Sequence, residues 1–324
     1  MSKIGVAVVG VGGWGGVPAD AICANNKFEL VAWYDTAQAS IEDFQRKTSI
    51  PPSCSYEEML DNPDIEAVVI SVPNYIHASV AVQAAGRGKH VWIEKPLANT
   101  VAEADEIIQA CEDSGVILQV GHCLRRYPCI RQAKKMVEDG VIGNLVAIEG
   151  HQSHRGGFGL TPEKWRWYAD KCPGGPMNVL GVHQIDAMHY IMGPSAEVSG
   201  MFVKKYMPYE ADEITAVLIK YKNGLLGTLL STYITPGRTF ISIYGTEGYL
   251  GVNFGGTLTH HHRNGTVTDI PVDSCDVFQN QFEEFADCIL KGRKPETGGP
   301  EGRAAVAVLE SALISSRTGK TITL

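Results

Sequence analysis

From Ile4 to about Val120, short apolar and β-branched runs alternate with stretches whose apolar positions recur at helical spacing. That alternation is how strand–helix–strand units of a parallel sheet read. The runs predict strands at Ile4–Val9, Leu30–Tyr34, near Cys54, Ala67–Val72, His90–Glu94 and Ile117–Val120, with helices starting near Trp14, Ile41, Tyr56, Tyr75 and Val101. Two of those helices open on capping boxes, Ser55-x-x-Glu58 and Thr100-x-x-Glu103, which satisfy the amides a helix start leaves without carbonyl partners. Six strands joined by five crossovers predict a doubly wound Rossmann sheet.

Beyond Val120 the period changes. A helix over about Ile130–Asp139 leads to a strand at Val146–His154, an irregular Trp- and Gly-rich stretch to Pro176, and a helix over Met177–Met192. Alternating runs follow at Val198–Tyr206, Thr215–Tyr221, Leu225–Tyr233, Phe240–Tyr244, Leu258–His262 and Thr266–Ile270, with Gly-containing turn signals at 223–224, 255–256 and 264–265. Two closing helices, Phe278–Lys291 and Gly302–Thr318, stop at Gly292 and Gly319. The reading is a two-part chain: 1–121 a dinucleotide-binding Rossmann domain, and 122–324 a substrate-binding and oligomerisation α+β domain on a largely antiparallel sheet. A length of 324 residues agrees, at roughly 150 residues per domain.

Charge and composition narrow the partners. With 28 Lys+Arg against 36 Asp+Glu, the net charge of −8 disfavours nucleic acid and anionic membranes. The Ile4–Val9 run is too short for a signal peptide or a membrane span of about 18 residues. The eight cysteines stand singly, without a C-x-x-C pair, so a reducing cytoplasm is expected.

Gly10-Val11-Gly12-Gly13-Trp14-Gly15 directly follows the first strand and opens a helix. Glycines there allow a tight turn and let a pyrophosphate approach a helix N-terminus. The second strand ends at Asp35, where a carboxylate is placed for the ribose hydroxyls and would repel a 2′-phosphate; Thr36-Ala37-Gln38-Ala39 supplies no arginine. NAD is therefore expected over NADP.

Glu94-Lys95-Pro96 ends the fifth predicted strand at the carboxyl edge of the sheet, where open α/β folds bind ligands. Taken with Val72-Pro73-Asn74-x-x-His77, Gly121-His122, Trp165-Arg166, Gly174-Gly175 and Gly181-Val182-His183, the chain resembles the Gfo/Idh/MocA family, relatives of glucose–fructose oxidoreductase and inositol dehydrogenase. The Tyr244-Gly245-Thr246-Glu247-Gly248 and Ser316-Arg317-Thr318-Gly319 segments extend the resemblance over nearly the whole chain. It implies a pyridine-nucleotide dehydrogenase of a sugar, cyclitol or related polyol. Pro73, Asn74, His77, Glu94 and Lys95 would lie at the cofactor, Lys95 and His183 would engage the reacting hydroxyl, and His183 would take its proton.

In one place the chain leaves the family pattern: the Asp expected four residues before the histidine is Val179. In a regular helix Asn178 would lie about 140° round from His183, while Asp186, three residues on, would lie nearer its face. From Tyr127, His154, Arg155, Trp165, Arg166 and Tyr168 some substrate-pocket residues are expected, since aromatic faces and guanidinium forks suit sugars. The His260-His261-His262 run falls in a strand whose side chains alternate, so no metal site is expected. Two other readings stay open: a lyase, epimerase or glycosidase working through a transient keto-sugar with its cofactor regenerated in place, and a non-enzymatic dinucleotide sensor. Apolar positions on the antiparallel sheet point to a homodimer or homotetramer.

Overall fold

The computed structural model describes residues 3–254 and 256–324. The chain forms two compact units, Met1–Gly121 with Asp276–Arg303, and His122–Cys275 with Ala304–Leu324. The first unit runs through β1 (Ile4–Val9), α1 (Gly16–Ala24), β2 (Phe28–Tyr34), α2 (Gln38–Gln45), α3 (Tyr56–Asp61), β3 (Ala67–Ile70), α4 (His77–Gly86), β4 (His90–Ile93), α5 (Val101–Asp113) and β5 (Leu118–Val120). The strands pair in parallel in the order β2-β1-β3-β4-β5. Every residue of β1 and β3 is buried, as expected of parallel strands covered on both faces, which read as continuous apolar runs.

The strand expected near Cys54 does not form, leaving five strands where six were read. Pro51 and Pro52 have no N–H to give a ladder. The segment instead lies along β2 through single bonds: Ser53 N donates to the Trp33 carbonyl at 2.9 Å, and the Trp33 indole to the Ile50 carbonyl at 2.9 Å. Strand order reverses at β1 and β3. The turns after those two strands therefore flank the crevice in which such sheets take ligands.

The second unit contains α6 (Pro128–Glu138), β6 (Leu145–Ser153), α7 (Val182–Met192), β7 (Ser195–Val203), β8 (Ile214–Tyr221), β9 (Leu226–Thr232), β10 (Arg238–Gly245), β11 (Gly248–Asn253), β12 (Thr257–His262) and β13 (Val267–Ile270). The chain then makes α8 (Val277–Lys291), α9 (Gly299–Thr318) and β14 (Ile322–Thr323). The strands of the second sheet run β13-β12-β11-β10-β6-β9-β8-β7-β14, antiparallel except for the β6–β9 pair. Burial alternates strictly along β8. One face lies on a core containing Ile148, Ile185, Met188, Val217 and Leu229; the other carries exposed Met201, Leu218, Leu226 and Leu230.

Three differences from the sequence reading follow from packing. β11, whose Gly248 and Gly251 weaken its strand signal, is held between β10 and β12 on both edges. The two-residue β14 exists through its pairing with β7. Residues 276–303 belong to the first unit and not to a continuous 122–324 domain. The reason is aromatic packing: Phe282 and Phe285 of α8 are fully buried, with ring centroids 5.1 Å from Trp92 and 6.1 Å from Phe28.

Candidate functional site

The Gly-rich turn is set by backbone conformation. Gly10 sits at φ +81°, and a Cβ there would lie 2.7 Å from the Ser71 carbonyl oxygen. Gly13, at φ +56°, faces open space and begins the 3-10 turn Gly13–Gly15 that leads into α1. Only glycine meets the steric demand at the first and the positive φ at both. Gly12 precedes that turn and Gly15 closes it. Asp35 braces the arrangement: one carboxylate oxygen accepts from the Val11 and Gly12 amides at 2.9 and 3.2 Å, the other from Ala37 at 2.8 Å. The residue assigned to the ribose thus also shapes the turn, leaving its charge beside it.

The same carboxyl edge carries the segments after β3 and β4. Asn74 is buried in a 3-10 turn that starts after Pro73. His77, expected at the cofactor, is fully buried. Its Nε2 faces the Val72 carbonyl at 3.0 Å, and its Nδ1 faces the Pro96 and Leu97 carbonyls at 2.9 and 3.3 Å. Burial lowers its pKa to about 4, although those carbonyls favour the charged ring. His77 therefore ties the β3 exit to the Lys95-Pro96-Leu97 turn. Glu94 is buried; Trp14 of the Gly-rich turn donates its indole N–H to Oε1 at 3.1 Å, and the Lys95 amide donates to Oε2 at 3.1 Å. Burial pushes the Glu94 carboxyl up against the opposing pull of the Lys95 charge. Lys95 follows at the end of β4, half-buried, joined to Pro96 by a cis peptide bond.

In the second unit, His183 stands in the first turn of α7, half-buried. Before it, Met177–Gly181 form a π-turn in which the Val182 amide reaches back to the Met177 carbonyl. The extra residue in that wide turn changes the expected angle. Asn178, buried and five residues ahead, comes back toward the His183 side of the helix and not about 140° round it.

Asp186 does not serve His183. Both its oxygens are taken by Arg125, Nε at 2.9 Å and the terminal nitrogen at 2.6 Å, in a buried fork. Burial raises the Asp186 carboxyl, but His122 and Arg125 more than offset it and hold its pKa below the ordinary value. The Sγ of buried Cys123 lies 3.9 Å from His183 Nδ1. Cys123 and Arg125 escaped the sequence reading, because no spacing rule links the exit of β5 to a helix about sixty residues later; the one signal was the adjacent Gly121-His122.

The expected pocket residues all lie in this unit and make separate contacts. His154 stacks on Tyr233 with centroids 5.2 Å apart, and its Nδ1 accepts from the Gly156 amide at 2.8 Å. Arg166 lies 4.6 Å over the Trp165 ring, while the Tyr168 hydroxyl donates to the Pro162 carbonyl at 2.9 Å. Arg155 is exposed, and Tyr127 packs edge-on against Phe254. His261 stacks on Tyr249, and among the described residues no three His, Cys, Asp or Glu side chains are grouped to hold a metal. Among the same residues, no helix is long and apolar enough to cross a membrane.

Fold and site define an oxidoreductase built on a dinucleotide-binding sheet. Residues 4–122 match the model described as oxidoreductase family, NAD-binding Rossmann fold, and 130–251 match the GFO/IDH/MocA C-terminal domain. The chain belongs to the Gfo/Idh/MocA family. A solved structure of a Desulfitobacterium hafniense oxidoreductase described as NADPH-dependent superposes with a TM-score of 0.93 at 30% identity, covering 100% of this chain and 98% of that one. Levoglucosan dehydrogenase of Pseudarthrobacter phenanthrenivorans is 28% identical over 65% of this chain and 60% of its own. The 2,7-anhydro-N-acetylneuraminate hydratase of Mediterraneibacter gnavus is 27% identical over 80% of this chain and 70% of its own.

Proposed function

We propose that this protein is an NAD-dependent dehydrogenase that oxidises a hydroxyl-bearing carbon of a sugar, cyclitol or related polyol. The observation that carries the reading is the carboxyl edge of the parallel sheet, where the Asp35-braced turn at Gly10–Gly15 and the Glu94–Lys95 segment both end strands of one sheet. A pyrophosphate would approach that turn at Gly13, where a Cβ would meet nothing within 4 Å, just ahead of the helix start at α1. When bound, the nicotinamide supplies the hydride acceptor.

The chain's own residues do the rest. Lys95 donates a hydrogen bond to the reacting hydroxyl and stabilises the alkoxide. His183 accepts the proton, a task suited to an imidazole near neutral pH. Asp35 favours NAD, since a carboxylate beside the turn repels a 2′-phosphate. The named activity of the levoglucosan relative supports a sugar-class substrate. The hydratase relative supports a second reading, oxidation and reduction within one turnover that ends in addition or elimination.

One experiment tests the function: mass spectrometry of the purified protein for a retained dinucleotide, then a sugar and polyol panel followed at the NADH absorbance. Net NADH with one class of polyol is the expected result. Sugar conversion without net NADH establishes the second reading, and neither signal sinks both.

We also assign the open face of the second sheet to another copy of the chain. Met201, Leu218 and Leu230 border a concavity of about 740 Å³ on that face. Light scattering is expected to give a dimer or tetramer, and Leu218→Glu to weaken it. With all eight cysteines present as free thiols, the expected compartment is the cytoplasm.

A further inference from the structure

The segment that leaves β5 and the helix that carries His183 meet at two points one helical turn apart. At the lower point Arg125 grips both oxygens of Asp186 inside the core. At the upper point, two residues earlier in the segment and three earlier on the helix, Cys123 Sγ lies 3.9 Å from His183 Nδ1. A buried bidentate ion pair has little freedom to slide, so it fixes the register that sets the thiol against the ring. Val179, where the family pattern places an Asp, has no polar side-chain atom, and Asp186 is committed elsewhere.

We propose that Cys123 is the positioning residue of His183. The imidazole Nδ1–H donates to Sγ, leaving Nε2 without a proton and able to accept one from a substrate hydroxyl. The inference rests on the reading of His183 as proton acceptor, yet the thiol–imidazole contact can be tested without turnover. Sulfur of a neutral thiol is a weak acceptor. It therefore orients the ring while stabilising the imidazolium far less than a carboxylate would. Asp186, Arg125, His122 and His189 are charged or titratable groups at this part of α7, and they stay constant in the comparison below.

The full-length chain, labelled with ¹⁵N-histidine, is compared as wild type, Cys123→Ser, Cys123→Val, Cys123→Asp and Asn178→Ala. Long-range ¹H–¹⁵N correlation reads the tautomer, with the His183 signal assigned by its loss in His183→Asn. The expected wild-type His183 carries its proton on Nδ1. Cys123→Val should move that population toward Nε2–H and leave the other histidines in place. With an accepted polyol, Cys123→Val should lower kcat about tenfold or more while KM changes less than about twofold. Cys123→Ser should recover most of the rate. Cys123→Asp should shift the acid limb of kcat/KM up by about one pH unit, because a carboxylate favours the charged ring.

An unchanged tautomer and pH profile in Cys123→Val overturns the proposal, as does a wild-type His183 protonated at Nε2. So does a tautomer shift found in Asn178→Ala alone. If the tautomer responds as expected but no polyol is oxidised, the dehydrogenase reading fails while the positioning role stands.

Discussion

In the first unit, the turn at Gly10–Gly15 is made of main chain: two glycines at positive φ, and two amides held by one carboxylate. In the second unit, the neighbourhood of His183 is made of side chains, with Arg125 locked on Asp186 and Cys123 against the ring. The two regions resist change differently. A backbone-built cradle tolerates variation in its own side chains as long as its glycines and the Asp35 brace remain. A buried side-chain cluster loses its geometry when one member goes, because the partner is left charged and dry.

That contrast predicts its largest effect for Arg125→Met. It strands the Asp186 carboxylate in the core and should cost about 3 kcal/mol or more of stability, measured by urea unfolding; a loss below about 1 kcal/mol would mean that water replaces the guanidinium. Next comes Lys95→Met, expected to lower turnover about 100-fold, close to 2.7 kcal/mol of transition-state stabilisation. Dinucleotide affinity should stay within about twofold by fluorescence titration, and full activity in that variant would remove Lys95 from the chemistry.

Asp35→Ala tests the cradle itself. Wild type should prefer NAD over NADP by about tenfold, or 1.4 kcal/mol, and the variant should narrow that ratio while weakening both dinucleotides, since Val11 and Gly12 lose their brace. A preference that survives intact would place the discrimination elsewhere.

The smallest effect comes from acid, and it touches both regions. His77 is buried and His189, on α7, is half-buried; desolvation lowers both to about 4. Unfolded histidine titrates near 6.5, so between these values the unfolded chain binds more protons and stability falls as pH falls. Each should cost about 1 kcal/mol by pH 5.5, read as a lower thermal midpoint that His189→Asn partly removes. A midpoint unaffected by pH over this window would mean that both rings keep their protons in the fold, as the carbonyls on both sides of the His77 ring would favour.

How much could be read in advance follows the same division. β1, the turn after it and Asp35 lie within 32 residues, so strand, glycines and carboxylate appear as one motif. The capping box at Thr100 and Glu103 is likewise local, and it is present in both directions at the start of α5. Cys123 and His183 are 60 residues apart, and their meeting depends on how α7 packs. The π-turn before α7 was hidden for another reason: helical angles counted from sequence assume a uniform pitch, and one extra residue in a turn resets them for Asn178. The absence of a strand near Cys54 is legible in Pro51-Pro52, since neither residue has an amide to give a ladder.

The return of α8 to the first unit has a consequence for synthesis on the ribosome. Phe28 and Trp92 emerge early, but the rings that cover them, Phe285 and Phe282, belong to 276–303. At about 5–20 residues per second, the nascent parallel sheet waits on the order of 10–35 s with part of its aromatic core exposed. A fragment ending at Gly121 would stay in that waiting state permanently. Dissection at the apparent boundary should therefore yield a chain that aggregates or recruits chaperones, whereas supplying α8 in trans should rescue its solubility.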